Sequence, residues 1–116
     1  MGKRNRRREK LDAPTTDYAD PEGNVLTLRG SLSAATRREY ASVAAGSPLS
    51  REDAWQRSAE FLFERLAVRW TVADLPLERQ RDLLGRYRMA SPDERGWIRN
   101  VLREHLAEHF PELTPP

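Results

Sequence analysis

His105 and His109 are the residues of this chain whose types and spacing could hold a metal, in the run His105-Leu106-Ala107-Glu108-His109. Two imidazoles at i and i+4 share one helical face and can reach one ion. With Glu108 between them the run has the H-x-x-E-H spacing of the inverted zinc peptidases. Hydrolytic zinc needs a further protein ligand, which that pattern takes from a glutamate well downstream, and only Glu112 follows His109. Histidine in the last turn of a helix also has an ordinary use, because it bonds the unpaired carbonyls there and complements the helix dipole. The expectation is therefore a packed and capping pair, with no metal, no cofactor and no enzymatic activity. Carboxylates such as Glu60 and Glu64 fall at the spacing of a solvated helix face, and no serine, threonine or carboxylate pair stands in a context that suggests catalysis.

Charge offers a second chemistry. Lys3, Arg4, Arg6, Arg7, Arg8 and Lys10 put six cations in the first ten residues against the single acid Glu9. The chain has 20 basic and 18 acidic residues and a net charge of +2, so the remainder holds 14 and 17 and is mildly acidic. A basic arm, residues 1–14, lacks apolar side chains to bury and is expected to be disordered when free. It could neutralise phosphates and attach to DNA or RNA without reading sequence, although it carries no aromatic residue for base stacking.

The elements that must position these groups read mostly as helix. Asp20-Pro21-Glu22-Gly23 is a turn between two short strands, giving a hairpin over residues 15–29. Ser33 caps a helix over about 34–44, with Tyr40 and Val43 inside and Gly46 as its stop. Ser50 and Asp53 cap a long helix over about 51–72, onto which Leu49 staples. Proline tolerated in a first turn restarts a third at 77–89. Ser91-Pro92-Asp93-Glu94 opens the last, 92–109, as cap, proline and capping-box glutamate, and Pro111 ends it. Along the long helix Trp55, Ala59, Leu62, Phe63, Leu66 and Trp70 make one apolar stripe, while Phe61, Val68 and Val72 make a second nearly opposite. Phe61, Val68, Trp70 and Val72 are accordingly the candidate surface for a protein partner, and Trp55 and Trp97 are assigned to the core.

At 116 residues without cysteine, the chain suits one domain, 15–113, with no disulfide or thiolate-zinc framework. It has no apolar run of membrane-spanning length and no secretion signal behind its first charges, so a cytoplasmic location without a membrane partner is expected. The fold expected is mainly α: a small four-helix domain carrying a short N-terminal β-hairpin and the basic arm.

A basic tail, the strand segment VLTLRGSL, the helix SAATRREYASV and a long helix ending RLAVRWTVADLPL follow in an order that resembles the small tail assembly chaperones of tailed bacteriophages and prophages. That resemblance, from about Val25 to Met89, implies a non-enzymatic protein that binds the tape-measure protein during tail building. A nucleic-acid-associated accessory protein working through the arm is the alternative.

Overall fold

The computed structural model describes residues 14–45 and 51–116. The arm's six cations lie outside them, as do Gly46, Leu49 and Ser50, expected to stop one helix and open the next. The described elements are β1 (Thr15–Ala19), β2 (Val25–Arg29), α1 (Ala34–Ala45), α2 (Arg51–Leu66), β3 (Ala67–Val72), β4 (Leu75–Leu77), α3 (Gln80–Arg88) and α4 (Pro92–His109). The strands form one antiparallel sheet in the order β1-β2-β3-β4. The fold is therefore α+β, which overturns the expectation of a mainly α domain with an isolated hairpin.

The first hairpin follows from its turn chemistry. The Asp20 carboxylate accepts the Glu22 and Asn24 backbone N–H groups at 2.9 Å and the Asn24 side-chain amide at 3.0 Å. Gly23 takes a positive φ of 87° that a side chain would resist. The register is Thr15↔Arg29 through Ala19↔Val25.

The correction comes at Leu66. The helix expected to run to Val72 ends there, and the chain passes without a loop into β3, which pairs with β2 through Leu26↔Trp70. Val68, Thr71 and Val72 are β-branched and Trp70 aromatic, residues that fit a pleated surface better than a helix. The difference in helix propensity is at most a few tenths of a kcal/mol per residue, whereas fully burying a large apolar side chain is worth roughly 2–3 kcal/mol. Trp70, 1% exposed beside the buried Leu26 and Leu28, gains that only in the sheet.

β3 turns into β4 through Ala73 and Asp74, between the paired Val72 and Leu75. Both take positive φ, 50° and 65°, as a two-residue hairpin of the I′ kind requires. No glycine stands there and only Asp74 belongs to the residues that tolerate this conformation, so the turn signal is weak and residues 74–77 read instead as a helix restart. The Ala73 N–H is held by the Asn24 side chain at 3.0 Å, which ties this turn to the first one. Pro76 falls on the outer strand β4, where a missing N–H is tolerated.

The helices pack against the sheet face that presents Leu26, Leu28 and Trp70. Phe63 of α2 meets Trp70 edge-on at 5.7 Å and stacks with Tyr87 of α3 at 4.8 Å. α4 lays Ile98, Val101, Leu102 and Leu106 into the same core, which Phe110 closes. Its start is as expected: Ser91 Oγ accepts the Glu94 N–H at 3.1 Å, and the Glu94 carboxylate accepts the Ser91 N–H at 3.0 Å. Ser33 caps α1 through the Thr36 N–H.

Candidate functional site

α4 carries the two histidines onto the first hairpin. His105 is fully buried. Its Nε2 lies 2.8 Å from the Arg29 carbonyl, which can only accept, so Nε2 carries the proton. Nδ1 is then an acceptor and receives the Tyr18 hydroxyl at 2.8 Å. Both nitrogens of a neutral ring are engaged, and no lone pair remains for a metal without displacing Tyr18. His109 is half-buried, its Nε2 3.3 Å from Thr16 Oγ1 and its ring centroid 4.4 Å from that of His105. Among the described residues no three of His, Cys, Asp or Glu come together as a metal-holding group.

Burial pushes the His105 pKa down, the Arg29 carbonyl opposes this, and His109 adds to the lowering. Burial also raises Tyr18 to about 12, reinforced by Glu108 and Glu104. Both groups are therefore neutral at pH 7, which is the pairing the geometry demands. The arrangement can hold the end of α4 on the sheet.

The candidate partner residues form no exposed helical face: Trp70 lies in the core, and Phe61 and Val72 pack against that core from different elements. Phe61 belongs to α2, half-buried between Tyr40 at 6.1 Å and the Arg65 guanidinium at 5.2 Å. Val68 and Val72 belong to β3, so the second helical stripe does not exist. Trp70 is core, 1% exposed, and the Arg86 guanidinium covers it at 5.0 Å.

Trp55 reverses its assignment in the other direction. It is 40% exposed, at the lip of a groove of about 390 Å³ between α2 and α4. Tyr87 of α3, Ala59, Gly96, Arg95 and Arg99 are among the groove's lining residues. The Arg99 guanidinium lies 4.4 Å from the Trp55 ring centroid and that of Arg95 lies 5.5 Å from Tyr87. Glu60, on the groove wall, is paired with Arg88 at 2.9 Å. Nothing comes within 4 Å of the place where a Gly96 side chain would begin. The groove thus joins two aromatic rings, two arginines and a stretch of bare helix backbone. It escaped the sequence reading because Trp55 and Arg99 are far apart in the chain and meet only when α2 and α4 pack. One local signal existed: Gly96 sits inside a well-capped helix, where glycine costs about 1 kcal/mol relative to alanine.

No family model matches the chain, and neither curated proteins nor solved structures give a match. No helix among the described residues is long and apolar enough to cross a membrane.

Proposed function

We propose that the protein is a non-enzymatic binding and assembly factor that takes a helical segment of a partner protein in the groove between α2 and α4. The observation that carries this reading is the groove's composition. Tryptophan, tyrosine and arginine are the residues in which binding energy concentrates at protein interfaces, and here they surround a glycine that lets a partner's backbone approach closely. Apolar floor and charged rim suit an amphipathic helix. The resemblance to phage tail assembly chaperones supplies the partner to try first, the tape-measure protein.

Gly96→Leu separates binding from folding. The new side chain enters open space and improves helix propensity by up to about 1 kcal/mol, so the melting temperature should hold or rise. It also fills the groove. On co-expression with a phage tape-measure protein, the wild type should co-purify as a complex and Gly96→Leu should not, with Trp55→Ala weakening the complex at least tenfold, roughly 1.4 kcal/mol. A Gly96→Leu protein that binds as well as wild type sinks the proposal.

A further inference from the structure

The flank of α4 turned away from α2 borders the sheet's open edge. β1 is the outer strand on this side. Its partner pairs at the two ends, Gly30 N–H to the Pro14 carbonyl and Asp20 N–H to the Asn24 carbonyl, fix which residues bond to β2. Antiparallel pairs alternate between bonded and unbonded, so with Thr15↔Arg29 in register the bonded residues of β1 are the even-numbered ones. The backbone N–H and C=O groups of Thr15, Asp17 and Ala19 therefore point outward, and all three residues are exposed. The opposite edge is unsuited to a further strand, since β4 is three residues long and contains Pro76.

The open edge is acidic on the face beside α4. Asp17, held to the Thr27 hydroxyl at 2.6 Å, lies on the face away from α4. Glu104 and Glu108 of α4, which flank the His105 bonded to Tyr18, stand on the other face, close enough to Tyr18 to add to the burial that raises its phenol pKa. Where β1 enters its turn, a recess of about 540 Å³ continues the edge, bounded by Glu22, Asp93 and the half-buried Trp97. Of the cations, Arg86 is taken up by Glu94, while Arg29 and Arg69 lie on the Asp17 face, across from Thr15 and Thr27.

We propose that the β1 edge takes up an extended, arginine- or lysine-rich segment of a partner protein as a fifth strand. The outward backbone groups, unpaired among the described residues, supply the ladder, and cations on the α4 side of the segment meet Glu104 and Glu108. A second copy of this chain fits poorly, because symmetric antiparallel pairing sets Asp17 against Asp17, and like charges directly opposite destabilise. This surface is independent of the α2–α4 groove.

A synthetic peptide of alternating arginine and valine tests the proposal on the full chain at low salt, with amide hydrogen exchange read by NMR. The peptide should slow exchange at Asp17 and Ala19. Glu104→Gln with Glu108→Gln, both exposed positions, should weaken it roughly 2- to 10-fold, as for exposed ion pairs. Ala19→Pro removes a donor that β2 does not use, so the melting temperature should hold while protection of the edge is lost. Unchanged exchange, equal binding of a peptide with glutamine in place of arginine, or slow exchange of Asp17 and Ala19 already in the free protein would each overturn it. The last result would give the edge to another part of this chain or to a second copy.

Discussion

At the scale of single residues, His105 shows how burial converts a motif into a structural tie. A neutral ring with both nitrogens engaged resists protonation, and its pKa in the folded protein is depressed below the ordinary 6.5. The unfolded chain then binds a proton that the native state refuses, so stability rises with pH across that window. Its contribution is fully present above about pH 6.5 and is lost as pH falls through the depressed folded value. Thermal melts at pH 7.5 and pH 5.5 should show a larger fall in melting temperature for wild type than for His105→Gln, which cannot titrate. An equal fall in the two proteins would remove His105 as the acid-labile group. The spacing of His105 and His109 on one inward face was legible in the sequence. That Tyr18 and the Arg29 carbonyl would consume the His105 ring was not, since both belong to a hairpin some 76–87 residues earlier in the chain.

At the scale of elements, the turns and caps written in residues of special backbone chemistry were legible, and the turn lacking them was not. Asp20 to Gly23 and Ser91 to Glu94 announce themselves because a carboxylate, a glycine or a hydroxyl satisfies specific backbone groups. Ala73 and Asp74 adopt the left-handed conformation without such help, at about 1–2 kcal/mol for an ordinary residue with a side chain. Replacing them with the preferred pair, Ala73→Asn with Asp74→Gly, should raise stability by about 1 kcal/mol in urea unfolding without altering the denaturant slope. No gain, or a loss, would mean that the turn is set by the Asn24 bond to Ala73 rather than limited by its own backbone. The same logic accounts for β3. Six residues after a helix are too few for periodicity to separate strand from helix, and the β-branched content of residues 67–72 was the cue that the helical stripe obscured.

At the scale of the whole molecule, charge is divided between a basic arm and an acidic body, and this division carries the alternative reading. Removing residues 1–10 takes the net charge from +2 to −3, since six cations and one acid leave together. If the arm gives the protein affinity for nucleic acid, retention on DNA or RNA at low salt should vanish with the deletion and weaken steeply with added salt in the intact chain. Retention by the truncated protein would reject that role. Composition and local chemistry by themselves determined the absence of cysteine, the charge division, the first hairpin, the caps of α1 and α4 and the inward face of the last helix. Each depends on residues within a turn or two of one another. Tertiary structure alone decided that residues 67–72 join a sheet, that Trp70 is core and Trp55 is surface, and that an aromatic groove and an acidic strand edge lie on opposite flanks of α4. Those outcomes depend on burial against partners distant in sequence, and burial energies of a few kcal/mol override local preferences of a few tenths.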